Sequence, residues 1–422
     1  MPKSLKLSLL AVSAVLLLTM FLGANTHRVR AAGEQQDGAY RQMQVYSEVL
    51  RHIQGDYVVD PNMGKVTDAA MRGLLENLDS DSSYLTPEEY NVYKTHSGGK
   101  AQVGLTIAKR FGYATIVSVV QGSPADRANL NDGDVIEQIA DRKTNEISLL
   151  SAKLLLDGQP GSTISLSVIH PRHPAPEKVT LTRVDVPVAP AGEVFYEGAS
   201  ILYIKPIVID HDHVQQVENK LKNMGKTNTK KILLDLRDVS SGDNVEALRL
   251  ANLFIKTGTL ATLEGQKVSK QTFTADPGKN VNAAGPMVTL VNHGTAGPAE
   301  LVAGALLDSK RSELVGEKTF GDGSQQRTFE MPDGAALVLT VAKYSTPSGK
   351  KYQDEGLTPP VAVASMQDAS VPSDDDDDDA ADGAESTQTV NSAKPAVPIA
   401  KPAVKVDDQL NKALDLLKAK AA

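Results

Sequence analysis

Short apolar runs alternate with helical segments between residues 190 and 366, and this alternation constrains the fold more than any other feature. Ile201 to Ile204 and Lys231 to Leu236 have the length and continuous apolar character of buried strands. Pro298 to Asp308 fits a helix. Strands that alternate with helices favour a layered α/β domain, because a parallel sheet needs crossover connections and helices supply them. We therefore predict a multidomain α/β protein whose core, over residues 190–366, contains a largely parallel sheet.

Residues 99–184 have a different pattern, with short β-rich runs around one helical stretch from Glu146 to Leu156. Several short strands with a helix are typical of a compact, partly open barrel. This segment is predicted to form a separate domain ahead of the α/β core. The runs are Ala101 to Ala108, Tyr113 to Val119, Asp134 to Ile139, Ser162 to Ile169 and Lys178 to Arg183.

The N-terminal 32 residues begin with Lys3 and Lys6 and continue with an apolar stretch from Leu7 to Leu22. A positive start, a short apolar run and small residues after it are typical of an export signal. The stretch is shorter than the ~20 residues that span a bilayer comfortably. We interpret residues 1–32 as a signal peptide, with an uncleaved membrane anchor as the alternative, and expect a periplasmic or exported protein.

Three further regions complete the predicted organisation. Residues 36–98 place apolar side chains at helical spacing and indicate an N-terminal helical region. Residues 367–405 are polar and contain six consecutive acidic residues, Asp374 to Asp379, so we predict a disordered acidic and Ala-Pro linker. Residues 406–422 regain helical spacing and predict a C-terminal helix that docks back on the body.

Composition excludes several kinds of chemistry. The net charge of -8 argues against nucleic acid as a partner, because phosphate binding needs a basic surface. The chain has no cysteine, which excludes disulfides and thiolate catalysis. His211 and His213 flank Asp212, but we interpret this triplet as solvated, since the start of a helix would point the side chains to different faces. We predict no metal site and no cofactor.

The segment from Gly122 to Ile136, which reads Gly-Ser-Pro-Ala-Asp-Arg-Ala-Asn-Leu-Asn-Asp-Gly-Asp-Val-Ile, resembles a signature of bacterial PDZ domains. Such domains bind a C-terminal peptide as an added strand and hold its carboxylate with backbone N–H groups. The resemblance implies that the helix from Glu146 to Leu156 forms one wall of the groove. It also implies that Gly104 admits the ligand backbone. The predicted peptide-binding residues are Val103, Gly104, Leu105, Thr106 and Ile107.

From about residue 40 onward, the order of further motifs resembles the carboxyl-terminal processing, or tail-specific, serine peptidases of bacteria. Leu78 to Leu85 is similar to the Leu-Asp-Pro-His-Ser element of that family, with Pro and His replaced. The resemblance implies a serine-type endopeptidase scaffold that acts on protein tails. The other matching elements are Leu234–Arg237, Asn292–Glu300, Gly316–Gly323, Tyr344–Gly349 and Gly356–Pro359.

The two reacting groups of that family are replaced in this chain. The family uses a Ser that attacks the peptide carbonyl and a neutral Lys that takes its proton. The motif alignment places Ala299 at the position of the Ser and Asp322 at the position of the Lys. Gln326 matches a retained polar residue of the family, and only Gly242 remains of the usual oxyanion-hole segment. A methyl group cannot attack a carbonyl, so the sequence predicts a degenerate peptidase without activity.

Three interpretations follow from this pattern. The first is a catalytically silent homologue that binds the C-terminal tails of envelope proteins. The second is an active peptidase in which the hydroxyl of Thr295 or Ser324 works with Lys318. The third is an envelope scaffold in which the helical ends join subunits into a homo-oligomer and the PDZ groove binds the protein's own segments. Independently of this choice, the N-terminal segment predicts membrane association.

Overall fold

The computed structural model describes residues 40–96, 101–171, 173–186, 189–196, 198, 200–224, 229–282, 284–365 and 407–420. The predicted signal peptide or anchor (residues 1–32) and the predicted linker (residues 367–405) lie outside these residues. No helix within the described ranges is long and apolar enough to cross a membrane. The chain divides into two compact units, residues 1–70 and residues 71–422.

The helices and strands are numbered in chain order. The helices are α1 (described over residues 40–56), α2 (Met63–Glu76), α3 (Pro87–His96), α4 (Pro124–Arg127), α5 (Leu149–Leu156), α6 (His211–Asn223), α7 (Asn244–Phe254), α8 (Pro298–Asp308) and α9 (Asp408–Ala419). The strands are β1 (Ser83–Leu85), β2 (Leu105–Arg110), β3 (Tyr113–Val119), β4 (Val135–Ile139), β5 (Arg142–Lys143), β6 (Thr163–His170), β7 (His173–Thr182), β8 (Gly192–Tyr196), β9 (Ile201–Lys205), β10 (Lys231–Asp235), β11 (Thr259–Glu264), β12 (Gln271–Thr274), β13 (Met287–Val291), β14 (Glu313–Gly316), β15 (Ser324–Glu330), β16 (Ala336–Ser345) and β17 (Val361–Ala362).

The first unit consists, in its described part, of α1 and the beginning of α2. The two helices are separated at Asp60 and Pro61, since the proline ring disfavours helical backbone at the residue before it. Met43, Val45 and Val49 of α1 are exposed. Isolated helices draw little stability from propensity alone, so α1 needs a partner surface to be stable.

The segment with the PDZ signature forms an antiparallel sheet in the order β2-β3-β4-β6-β7, with β5 paired to β4. Ser123 caps α4 by accepting a hydrogen bond from the amide of Asp126, and Pro124 occupies the first helical turn. Gly133 has a φ of +83°, which allows the turn into β4. Because β2 lies at the end of the sheet order, one of its edges has no partner strand.

The α/β core contains a second sheet in the order β17-β14-β13-β10-β9-β8, in which only β8 runs antiparallel to its neighbour. Side chains along β10 alternate between two apolar clusters: Ile232 and Leu234 face the cluster that includes α6, α7 and α8, whereas Leu233 faces the cluster that includes α9. Apolar packing on both faces explains the continuous apolar runs. The predicted α/β core with a largely parallel sheet is confirmed.

A third sheet, formed by β1, β11, β12, β15 and β16, is entirely antiparallel and was not predicted. The prediction missed it because strands such as β15 carry mostly polar residues and are only partly buried. Leu150 and Leu154 of α5 pack against Leu85 and Tyr90 beside this sheet. The third sheet therefore provides a surface on which the PDZ segment rests.

The C-terminal helix α9 packs on the parallel sheet through Ala413 and Leu417. The ammonium group of Lys231 donates to the carbonyl oxygens of Leu417 and Lys420 at 2.8 and 2.7 Å. A cation at this end of a helix satisfies carbonyls that have no partner within the helix. At the other end, Arg237 pairs with Asp407 at 2.8 Å.

Candidate functional site

Ala299 lies in the first turn of α8, directly after the strand β13 and a tight turn. Gly297, with a φ of +54°, precedes the helix, and Pro298 occupies its first position. Ala299 is fully buried, and its methyl group belongs to the main apolar cluster of the core. The position predicted for the nucleophile therefore carries a core side chain without a reactive atom.

Glu300 joins this helix start to the turn that contains Asp322. Its carboxylate accepts hydrogen bonds from the amides of Gly321 and Asp322 at 2.8 and 2.7 Å, from the amide of Gly297 at 3.2 Å, and from the hydroxyl of Thr319. Burial raises the pKa of Glu300 to about 7, although these donors oppose the shift. We refer to Ala299, Glu300, Thr319 and Asp322 as the Ala299 cluster.

Asp322 lies beside the first turn of α8. A methyl group at Gly297 would lie 3.4 Å from Oδ2 of Asp322. The side chain is accessible from a cavity, but protein encloses its other sides, and this partial burial raises its pKa to about 6. The charge of Asp81 adds to the rise, whereas Lys153 and Arg110 oppose it. A helix N-terminus favours an anion here, so Asp322 suits the scaffold electrostatically although it supplies no amine.

Asp81 belongs to the same site and was missed by the sequence analysis. Its Oδ2 accepts hydrogen bonds from the hydroxyl of Ser324 at 3.0 Å and from the side-chain amide of Gln353 at 3.1 Å. Burial raises the pKa of Asp81. The available signal was the Leu-Asp-x-x-Ser element, whose third and fourth residues are Ser80 and Asp81.

The candidate substitute hydroxyls have partners other than lysine. The hydroxyl of Thr295 donates to the carbonyl of Leu236 at 2.8 Å and accepts from the amide of Asn292 at 3.0 Å. The hydroxyl of Ser324 donates to Asp81 and accepts from Gln326 at 2.5 Å. Gln326 is thus directed to Ser324. In the described part of the chain, no hydrogen bond links either hydroxyl to a lysine.

The segment predicted to contain the oxyanion hole contacts the PDZ segment. The hydroxyl oxygens of Ser240 and Ser118, which belongs to β3, lie 2.5 Å apart. Gly242 forms a bridge with Ile209, where an added Cβ would lie 2.3 Å from the Ile209 carbonyl oxygen. This close approach, together with a φ of +139°, explains the glycine without requiring a ligand.

The β2–α5 groove is the space along the unpaired edge of β2, bounded by α5. In the described part of the chain, the backbone N–H groups of Val103 and Gly104 donate to no other group. Leu105, Thr106 and Ile107 continue from this loop into β2. Free amides next to a free strand edge are the features with which a PDZ domain holds a terminal carboxylate and an added strand.

Gly104 has a structural role within the PDZ segment. It has a φ of +84°, and an added Cβ would lie only 2.2 Å from Cβ of Ser123. Ser123 is itself buried and caps α4. Packing within the domain is therefore sufficient to require glycine at this position, and a larger residue would disturb the fold. The expectation that Gly104 admits a ligand backbone stays a prediction.

The β2–α5 groove opens on a cavity of about 80 Å³ that Asp322 also lines, whereas Ala299, Glu300 and Thr319 are buried behind it. The cavity has room for a few water molecules but not for several peptide residues. Arg110 helps to close the cavity. Its guanidinium donates to the carbonyl oxygen of Phe320 at 2.9 Å, and its Cζ lies 4.2 Å from the centre of the Phe320 ring. The lining includes Thr106, Ile107, Leu149 and Lys153 from the PDZ segment and Asp81, Ser240, Ala296, Gly321, Asp322 and Gln353 from the remainder.

The His211–Asp212–His213 triplet is not solvated as a whole. His213 is buried, and its ring nitrogens contact the carboxylate of Asp210 at 2.7 Å and the carbonyl of Ala189 at 3.1 Å. His213 therefore helps to fix the start of α6. Among the residues that the structure describes, no group of three or more His, Asp or Glu side chains could hold a metal ion.

Together, a PDZ groove and a strand–turn–helix site in an α/β core define a protein with the architecture of a tail-specific peptidase. Residues 99–185 match the PDZ domain family, and residues 200–363 match peptidase family S41.

The chain is 32% identical to the carboxyl-terminal-processing protease of Synechocystis sp., over 70% of this chain and 71% of that protein. It is 30% identical to carboxyl-terminal-processing peptidase 2, chloroplastic, of Arabidopsis thaliana, over 71% of this chain but only 60% of that protein. The solved structure of the photosystem II D1 C-terminal processing protease superposes with a TM-score of 0.65 at 25% identity, covering 76% of this chain and 92% of that one. The chain belongs to the carboxyl-terminal processing protease family, and its predicted resemblance is confirmed.

Proposed function

We propose that this protein captures the C-terminal tails of proteins in the bacterial cell envelope and does not cleave them. The observation that carries the proposal is a contrast between two regions: the groove has a free strand edge, whereas the two positions that align with the family's reacting groups carry a methyl group and a carboxylate. The envelope location is supported by the signal-like sequence of residues 1–32.

Tail binding is supported by the chemistry of the β2–α5 groove. The free amides of Val103 and Gly104 offer two donors to a carboxylate, and the unpaired edge of β2 offers a ladder for an added strand. Ile107 and Leu149, which belong to the apolar core of the domain, line the cavity beside the groove. A tail with an apolar last residue and a free carboxylate fits these features.

The absence of cleavage is supported by the surroundings of Ala299. No neutral amine replaces the family's Lys, because Asp322 lies there instead. The nearby hydroxyls of Thr295 and Ser324 are engaged with a backbone carbonyl and with a carboxylate, respectively. Losing an activated nucleophile and its base removes most of the rate enhancement that such a pair provides.

Tail entry requires the PDZ segment to move away from the α/β core, because a space of about 80 Å³ cannot hold an added strand. The contacts to be broken include the Ser118–Ser240 hydrogen bond and the Arg110–Phe320 contact. Opening also disrupts the apolar packing of Leu150 and Leu154 against Leu85 and Tyr90, so it has a free-energy cost that tail binding must offset.

The first test is binding of a fluorescein-labelled decapeptide that ends in valine with a free carboxylate. We expect saturable binding in a polarisation assay, a loss of at least tenfold in affinity when the terminus is amidated, and an intact peptide by mass spectrometry after prolonged incubation. Equal affinity for both forms would refute tail capture. Cleavage of the peptide would refute the silent-homologue interpretation.

The second test uses an engineered disulfide bond between the PDZ segment and the α/β core to determine where the tail binds. The double variant Ser118→Cys/Ser240→Cys places two thiols where the hydroxyl oxygens lie 2.5 Å apart, close to the length of a disulfide bond, and the chain has no other cysteine. We expect the oxidised variant to lose peptide binding and the reduced variant to retain it. The single variant Ser118→Cys is the control, and undiminished binding by the oxidised form would place the tail elsewhere.

A further inference from the structure

Lys153 is a cation at the β2–α5 groove whose role no motif indicates. It lies on α5 one turn after Leu149, so both side chains lie on the helix face that lines the cavity with Thr106 and Ile107 of β2. Its side chain is exposed, and in the described ranges it forms no salt bridge within 4.0 Å.

The carboxylates that face Lys153 across the cavity come from outside the PDZ segment. Asp81 and Asp322 line the same cavity, and the charge of Lys153 acts on both. Asp354 lines the cavity too, but its Oδ1 lies 3.7 Å from Nη1 of Arg110, so this carboxylate has a cation of its own. Lys153 therefore shares a cavity with carboxylates that belong to elements outside the PDZ segment.

Opening of the groove separates Lys153 from these carboxylates. A tail that adds to β2 runs between β2 and α5, and successive side chains of a strand point alternately to either side. Some side chains near the end of the tail therefore face α5. A carboxylate at such a position would replace the one that Lys153 leaves behind.

We propose that Lys153 selects tails that carry an acidic side chain within the last few residues, taking that carboxylate in exchange for Asp81 and Asp322. This inference rests on the proposed tail capture and specifies its ligand: an extended C-terminal peptide with an apolar last residue and a nearby Asp or Glu. On this proposal, Asp322 is one of the carboxylates that face Lys153 when no tail is bound.

The test uses decapeptides with a free C-terminal valine and either Glu or Gln at each of the three preceding positions. We expect the protein to bind a Glu peptide about two- to fivefold more tightly than its Gln counterpart at low salt, the size typical of a partly exposed ion pair. The preference should disappear in Lys153→Met and reverse in Lys153→Glu. Lys178→Glu, an exposed position on β7 at the opposite edge of the sheet, makes the same charge change and should retain the wild-type preference.

Failures of the two ideas are distinguishable. If wild-type protein binds Glu and Gln peptides equally, and amidation still abolishes binding, then tail capture stands and the role of Lys153 is wrong. A Glu preference that persists in Lys153→Met also overturns it. If amidation has no effect, tail capture fails and this inference fails with it.

Discussion

The β2–α5 groove and the Ala299 cluster are connected by a cavity that Asp322 lines, but they differ in the groups that they offer to a peptide. The groove keeps its unpaired strand edge and the free amides of its entry loop. In the Ala299 cluster, Glu300 bonds to the helix start and to the turn of Asp322, and the positions that align with the family's Ser and Lys carry a methyl group and a carboxylate. Under the proposed function, binding depends on backbone geometry, whereas catalysis depends on single side-chain atoms.

The difference separates residues that the fold needs from residues that only the chemistry needs. Ala299 and Asp322 occupy their positions without disturbing the helix start or the turn, so the loss of reacting groups leaves the architecture unchanged. Glu300 and Gly104, by contrast, are buried at close contacts between elements. The comparison predicts that substitutions at these two residues unfold or loosen the protein.

The largest expected effect is that of Glu300→Gln. The single oxygen of glutamine cannot accept from the four donors that surround the carboxylate, and in either orientation its NH₂ group would face at least one backbone amide. We expect a loss of about 3 kcal/mol in the free energy of unfolding, measured by urea denaturation. Glu355→Gln, at an exposed carboxylate in a turn, is the control and should cost less than about 0.5 kcal/mol. An unchanged free energy of unfolding in Glu300→Gln would contradict the distinction between residues that the fold needs and residues that only the chemistry needs.

The next largest effect is a difference in stability between alanine variants of two glycines in the PDZ segment. Gly104 and Gly112 have φ angles of +84° and +83°, but an added Cβ contacts Ser123 only at Gly104. Gly112→Ala should cost about 1 kcal/mol, from the backbone conformation alone. Gly104→Ala should cost at least about 2 kcal/mol more, because neither backbone nor Ser123 can yield easily. Calorimetry of the intact chain measures the loss of stability in both variants, and equal losses would contradict the packing role of Gly104.

The smallest effect is a pH dependence at Asp322. Its pKa is raised from 3.8 to about 6 in the folded protein, so the folded state holds this proton more tightly and stability falls as pH rises from about 4 to 6. Allowing for solvent screening of an accessible group, we expect Asp322→Asn to recover about 1 kcal/mol at pH 7 and nothing below pH 4. Melting temperatures at both pH values test this. Asp81 and Glu300 have raised pKa values as well, so part of the slope should remain.

The sequence predicts those parts of the molecule that depend on local patterns. The apolar runs of β9, β10 and β13 predict buried parallel strands, because both faces of that sheet are covered. The motif order locates Ala299 and Asp322, since each lies within a contiguous element. Thr86 accepts from the amide of Glu89 at 3.3 Å, as a capping pattern of Thr, Pro and Glu indicates.

Features that depend on distant segments could not be predicted from these patterns. Asp81, Lys153 and Asp322 line one cavity, but they lie in three separate regions of the chain, and no local pattern relates them. Gly104 is a similar case, because its contact is with Ser123 in the following turn of the domain. The antiparallel third sheet was missed for another reason, namely that the polar strand β15 has no apolar alternation to indicate it.

The most direct test of the central claim is labelling of the intact protein with a fluorophosphonate probe, alongside cleavage of the valine-terminated decapeptide. We predict no labelling and no cleavage by the wild-type chain or by Ala299→Ser, because Asp322 supplies no neutral amine to activate a restored hydroxyl. Labelling or cleavage by the wild-type chain that disappears in Thr295→Ala or Ser324→Ala would contradict the account and identify an active peptidase with a relocated nucleophile.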